Sequence, residues 1–493
     1  MEHLFEKLEH YASKDVYPYH MPGHKRRKWG NLPEALYKID ITEIEGFDNL
    51  HQPEGVLLEL QKRASFLYGA DESFYLVNGS TCGILSAISS AVHEGGHLLM
   101  ARNCHKSAYQ GVYLRNLKVT YLYPPWLPEY DIFDVVAPEQ IEEALEKESD
   151  INAVLMVSPT YEGRISDVGA IAEIVHKKGI PLIVDEAHGA HLGLAEGVHL
   201  NSCQLGADLV VHSVHKTLPA LTQTALLHVN GPLINRGLLK RFLHIYQSSS
   251  PSYLLMASID NALQYVEQRG NESFRKFHRL YGKMMEDLKA CKNLKFLPQE
   301  GTKQDVGKLI ISVKNTEFTG KQLYDILLER YGLQVEMASG TFVLAMFTVN
   351  DGEEAYIRMT KALLELDSQI SMSDVRTGGK RKKGILWMEE AAWEGKIVSS
   401  QGIPLTSAWD GHIEQVSLAE GPGKFAGEFI NLYPPGIPLV VPGEFITKKI
   451  CDDILESVRQ GLTVQGIIKK DDVKITERNV YLKILTTPSD VTQ

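Results

Sequence analysis

Nowhere do the 493 residues approach the roughly 18 consecutive apolar positions that a membrane-crossing helix requires, so such a helix is excluded. The opening stretch, MEHLFEKLEHYASKD, is a charged amphipathic pattern and lacks the apolar core of a signal peptide. Cysteine is scarce. Cys82, Cys104, Cys203, Cys291 and Cys451 are odd in number, far apart and without a C-x-x-C pair. That excludes a disulfide framework and a cysteine zinc site, and it leads us to expect reduced thiols, a cytoplasmic location and no metal. Excess positive charge is missing too: 51 Lys and Arg stand against 62 Asp and Glu, a net charge of −11. A nucleic-acid partner is therefore not expected. Neither a phosphate-binding G-x-x-x-x-G-K-[ST] loop nor a strand-anchored G-x-G-x-x-G is present, and no internal repeat is found.

What remains is an average soluble composition, 44% hydrophobic and 23% charged, long enough for about three folding units. From residue 56 to 230, short apolar runs alternate with polar turns and amphipathic stretches. The runs are SFYLV (73–77), HLLMA (97–101), KVTYLY (118–123), NAVLMV (152–157), IPLIVDEA (180–187), ADLVVHS (207–213) and ALLHVNG (225–231). Helical patterns such as PEQIEEALEK (138–147) and VGAIAEIVHKKG (168–179) separate several of them. Strands with little polar alternation, interleaved with helices, indicate an α/β fold with a mostly parallel sheet buried on both faces. We expect an N-terminal arm (1–55), a large domain (56–265), a small α+β domain (266–375), an exposed basic linker (376–384) and a C-terminal domain (385–493).

Of the four His-Lys pairs in the chain, three stand out, at 24–25, 105–106 and 215–216. Only the last sits at the end of an apolar strand (ADLVVHSVHK), and it lies 31 residues after another strand ending in Asp185. In open α/β sheets ligands collect beyond the carboxyl ends of strands. An amine at Lys216 and a carboxylate at Asp185, both at strand ends, are what pyridoxal phosphate needs: the lysine bonds the aldehyde, and the aspartate keeps the ring nitrogen protonated. Its phosphate needs donors at a helix start, and Asn78-Gly79-Ser80-Thr81 supplies free amides and two hydroxyls there. Ser213 and His215 stand beside the lysine. Each residue alone has an ordinary structural reading, as a helix cap or a core histidine. The ordered set is harder to produce by chance.

The chain also resembles the Orn/Lys/Arg decarboxylase family, pyridoxal-phosphate enzymes of the aspartate-aminotransferase fold (fold type I). The resemblance rests on SVHKTLPALTQ (213–223) and on further motifs in order: HMPGHK (20–25), DITEIEGFDNLHQPEG (40–55), NGST (78–81), ARNCHKS (101–107), SPTYEG (158–163), VDEAHGAH (184–191), SSPSYLLMASID (249–260) and YPPGIPLVVPGE (433–444). It is closest to short members, without an N-terminal receiver-like domain. It implies that Lys216 carries the cofactor, Asp185 pairs with the pyridine nitrogen and His105 stacks on the ring. It further implies that Ser80, Thr81, Ser213 and His215 bind phosphate and that Ser249 reaches a phosphate across a dimer interface. His188 stands where long members often have tryptophan in the pocket wall.

A basic amino acid also needs a carboxylate for its distal cation, for which Glu444 and Glu43 are the candidates, with Glu45 and Asp48 beside them. The expected reaction is decarboxylation of arginine first, then lysine, then ornithine, as in polyamine biosynthesis, by a homodimer or dimer of dimers with shared sites. An aminotransferase, an aldolase-type lyase and a catalytically silent relative are the alternatives. The C-terminal region holds only Arg459 and Arg478 in place of a motif arginine for an α-carboxylate, which disfavours the aminotransferase.

Overall fold

A computed structural model describes residues 3–298, 304–370, 397–399, 402–434, 436–470 and 475–486. The chain divides into two compact units, Met1–His93 with Ala153–Ser158 and Val168–Lys276, and Glu94–Asn152 with Pro159–Asp167 and Phe277–Gln493. The expected linker at 376–384 lies outside the described residues.

In the first unit the strands lie in the order Glu72–Leu76, Ala225–Val229, Leu209–His212, Leu182–Asp185 and Ile151–Val157. The last three are parallel to one another, whereas Ala225–Val229 is antiparallel to both its neighbours. Every residue of Leu182–Asp185, Leu209–His212 and Ala225–Val229 is buried, which is why these runs show no polar alternation. Two reversals make Glu72–Leu76 run parallel to Leu209–His212. Its exit into the helix Gly79–Ala91 therefore lies at the same edge as the exits after Asp185 and His212. That helix packs close to the sheet through Gly83, where a Cβ would stand 2.7 Å from Leu76 Cδ1 and 3.0 Å from Val211 Cγ1.

The N-terminal segment is less of an arm than expected. Its helix Leu4–Ser13 buries Leu4 and Leu8 in the same core as Leu57, Leu60, Tyr253 and Leu263. It is pinned by Asp260, which accepts from the Leu4 amide (2.9 Å) and from Arg63 (3.0 Å). The expected boundary at 265/266 falls inside one helix, Tyr253–Leu288, which continues through Gly270. This glycine serves close packing: a Cβ there would meet Val266 at 3.2 Å and the Leu194 carbonyl at 3.6 Å.

In the second unit, His97–Ala101 and Lys118–Leu122 pair in parallel, with 397–399 antiparallel to the latter. Lys308–Ser312 and Phe342–Met346 form the centre of a four-stranded antiparallel sheet, accompanied by the helices Gly320–Tyr331 and Glu353–Gln369. Toward the C-terminus, two three-stranded sheets and the helix Lys448–Arg459 share a core of Leu418, Ile430, Val440, Ile454 and Leu482. Among the described residues, no helix is long and apolar enough to cross a membrane.

Candidate active site

Asp185 ends its strand and is buried, 6% exposed, with one carboxylate oxygen accepting from the Ala187 amide at 3.2 Å. Burial pushes its pKa up, opposed by the positive charge of Lys216 and by that amide, and the net shift is upward. Lys216 sits in the single turn Val214–Thr217 that follows the adjacent strand. Its Nζ lies 3.1 Å from Nε2 of His188, itself buried on the turn after Asp185. Strand pairing of Asp185 with Val211 thus brings the amine, the carboxylate and the imidazole to one edge of the sheet.

Ser213, between that strand and Lys216, has a buried Oγ with no hydrogen-bond partner, as has Thr217 Oγ1. A buried hydroxyl left unpaired costs about 1–3 kcal/mol unless a ligand completes it. His215 donates from Nδ1 to the Thr224 carbonyl at 2.8 Å, leaving Nε2 as the atom available to a ligand. Burial lowers its pKa, so Nε2 gains a proton only when an anion stands close. Ser80 and Thr81 occupy the first turn of Gly79–Ala91, half-buried and exposed respectively, where amides point outward. Ser249 is exposed in the loop before Tyr253–Leu288, and among the described residues no hydrogen bond joins it to these groups.

His105 belongs to the second unit and caps the helix Lys106–Leu114: its Nδ1 accepts from the Ser107 amide at 3.2 Å. Nδ1 is therefore unprotonated, and the ring proton of the neutral form is on Nε2. The Lys106 amide donates to the Gly436 carbonyl at 3.2 Å, and a Cβ at Gly436, whose φ is +82°, would lie 3.3 Å from Nε2 of His105. The YPPGIP motif is thus the seat of this imidazole. Gly436→Ala adds a strained backbone, at about 1–2 kcal/mol, to a displaced ring. It is expected to lower kcat/KM about tenfold, and steady-state kinetics check this.

Glu444 is corrected as a substrate carboxylate. Its Oε1 accepts from Arg102 Nε (3.2 Å), and its Oε2 accepts from Arg102 Nη2 (2.9 Å) and the Val441 amide (2.8 Å). Arg102 is wholly buried and also donates to Tyr109 and to the carbonyls of Pro438 and Leu439. The sequence reading missed this arginine, although it stands in the quoted ARNCHKS motif. Asp48 is engaged as well. It receives the amides of Asn49, Glu54, Gly55 and Leu57, which outweigh burial and lower its pKa. It organises the DNLHQPEG loop. Glu43 differs: its Oε1 is buried without a hydrogen-bond partner. The grouping of His97, Glu148 and Asp150 could offer metal ligands, yet the Lys118 ammonium already bridges its two carboxylates.

These geometries agree with what the chain is similar to. The family model for the major domain of Orn/Lys/Arg decarboxylases matches residues 2–304, and the C-terminal domain model of the same family matches 404–462. The arginine decarboxylase of Bacillus subtilis (strain 168) is 30% identical over 480 residues, covering 94% of this chain and 95% of that protein. The lysine decarboxylase LdcA of Pseudomonas aeruginosa is 22% identical, covering 90% of this chain and 74% of that one. The crystal structure of the Francisella novicida lysine decarboxylase LdcF superposes with a TM-score of 0.80 at 18% identity, over 98% of this chain and 81% of that one. The fold is that of the pyridoxal-phosphate-dependent decarboxylases and aminotransferases. By the matches to both of its domains, the chain belongs to the Orn/Lys/Arg decarboxylase family.

Proposed function

We propose that this chain is an arginine decarboxylase that uses pyridoxal phosphate held by Lys216, releasing agmatine and carbon dioxide. One observation carries the reading: an amine paired with an imidazole, next to a buried carboxylate, at adjacent parallel strand ends. The residues suit the cofactor. Ser213 Oγ lacks a partner, the helix start at Gly79 and the Nε2 of His215 suit a phosphate, and Asp185 suits a protonated ring nitrogen. Arginine is placed first because the arginine decarboxylase relative is 30% identical over nearly the full chain, against 22% for the lysine enzyme.

When bound, pyridoxal phosphate supplies an aldehyde that takes up amines and a protonated ring that accepts the electron pair of the broken Cα–carboxylate bond. Lys216 must be a neutral amine to act, and His188 Nε2, at 3.1 Å, is placed to exchange its proton. Asp185 keeps the ring nitrogen charged by placing an anion beside it in a buried setting. Nζ of Lys216, recharged through His188, is suited to return a proton to the α-carbon. Glu43 is assigned to the distal cation, for which its unpaired buried oxygen is the support. Glu43→Gln is expected to raise KM for arginine about tenfold or more with a smaller change in kcat, and an unchanged KM removes it from that role.

The same reading makes the enzyme a cytoplasmic homodimer or dimer of dimers, in which Ser249 of each subunit serves the other's phosphate. Sedimentation analysis with Ser249→Ala compared for cofactor affinity tests this. Substrate ranking is tested by kcat/KM for arginine, lysine and ornithine on one preparation. Arginine is expected to lead by at least about tenfold, since a misplaced charged hydrogen bond costs 1.5–3 kcal/mol.

A further inference from the structure

Next to Asp185 in the chain begins a row of buried polar groups that the reaction does not use. Glu186, 1% exposed, accepts at Oε1 from Ser202 Oγ (2.7 Å), and its Oε2 lies 2.6 Å from His212 Nε2. The Nδ1 of His212 is 3.0 Å from Nε2 of His228, and Nδ1 of His228 is 2.6 Å from Ser73 Oγ. His212 and His228 are both 0% exposed, and the Tyr68 ring lies against both at 4.7 and 4.6 Å. The row crosses neighbouring strands, in which Ser73 is paired with His228 and Asp185 with Val211. His212 immediately precedes Ser213, and Glu186 immediately follows Asp185.

Counting protons leaves this row two states. With Glu186 ionised, every bond points the same way: Ser73 donates to His228, His228 Nε2–H to His212, and His212 Nε2–H to the carboxylate. With Glu186 protonated, every bond reverses and ends on the Ser73 oxygen. Both states satisfy all the groups with neutral imidazoles, and they differ by one proton.

We propose that Ser73, His228, His212 and Glu186 form a single proton-ordered chain that sets the charge on the residue next to Asp185, making Glu186 a positioning residue that acts through Asp185 on the cofactor's ring nitrogen. This rests on the site being a pyridoxal-phosphate site. Burial supports it: it pushes Glu186 up to about 8, lowers His212 to about 3 and holds His228 well below the usual imidazole range. The other titratable groups facing the chain are His191, Cys203 and Tyr68. His191 opposes the rise at Glu186, and Glu186 raises both Cys203 and Tyr68.

Glu186→Gln keeps the size but cannot ionise, which removes the chain's one-proton step. Cofactor affinity of the full chain, measured by fluorescence titration from pH 6 to 10, is expected to separate the two proteins. As pH rises through about 8, wild type gains about tenfold over Glu186→Gln, because only its carboxylate acquires a charge next to Asp185. Parallel profiles would overturn the proposal. Ser73→Ala, remote from Lys216, leaves His228 Nδ1–H without an acceptor in the protonated state, and so moves the step down in pH. A step unmoved by it likewise overturns the single chain. If wild type captures no cofactor, the functional reading itself has failed. The chain is then tested on the apoprotein by 15N spectra of labelled histidine. His212 and His228 should exchange Nε2–H for Nδ1–H as pH falls, and should keep one tautomer across the range in Glu186→Gln. Tautomers that ignore pH in wild type contradict it.

Discussion

Lys216→Ala is expected to fold, to lose the absorbance of lysine-bound cofactor and to decarboxylate at less than about one ten-thousandth of the wild-type rate. Folding should survive because Lys216 sits in a one-turn helix and its Nζ, the group removed, points at His188 and not into an apolar core. Activity should not, since Lys216 is the amine whose charge bears on Asp185 among the described residues. His188→Gln separates the two duties of the amine. It keeps a hydrogen-bonding group near Nζ but removes a proton acceptor, so cofactor capture persists while the rate falls about 100-fold or more. Borohydride reduction followed by peptide mass analysis reads capture independently of turnover, with the Lys216 peptide carrying the pyridoxyl group in wild type and in His188→Gln but not in Lys216→Ala.

The largest expected effect on stability is at Arg102. Its guanidinium is wholly buried and donates to Glu444, Tyr109, Pro438 and Leu439. Burial alone would disfavour its charge, but the Glu444 carboxylate together with Tyr109, Tyr123 and Tyr121 more than compensates. Arg102→Met leaves that carboxylate with the Val441 amide but no countercharge and takes a donor from two carbonyls, at a cost of about 3–5 kcal/mol. For a folding unit of a few hundred residues this lowers the unfolding midpoint by roughly 6–15 °C in calorimetry. Arg102→Met with Glu444→Gln is expected to recover part of that loss, because the double change removes the unpaired charge. A double variant no more stable than Arg102→Met would mean that the pair does not interact as its geometry indicates.

How far these features could be read in advance depended on distance along the chain. The strands were legible because burial on both faces demands continuous apolar runs, and Leu182–Asp185 and Leu209–His212 fall within the runs at 180–187 and 207–213. Asp185 and Lys216 drew notice as candidates because one ends a strand and the other follows one closely. The boundary expected at 265/266 falls inside one helix, which continues through Gly270 because that glycine serves close packing. Glu444 misled more instructively. An acid in a recurrent motif reads as functional until its partner is known, and Arg102 is 342 residues away. The row from Ser73 to Glu186 was hidden for the same reason. It joins four strands through residues 16, 26 and 155 positions apart, which no local pattern encodes.

The most direct test of the central claim supplies the purified chain with pyridoxal phosphate and arginine labelled at the carboxyl carbon. Labelled carbon dioxide and agmatine are counted together, with Lys216→Ala alongside. The account predicts the two products in equal amounts from wild type and neither from the variant. Cofactor bound at Lys216 with no carbon dioxide from arginine, lysine or ornithine would contradict it.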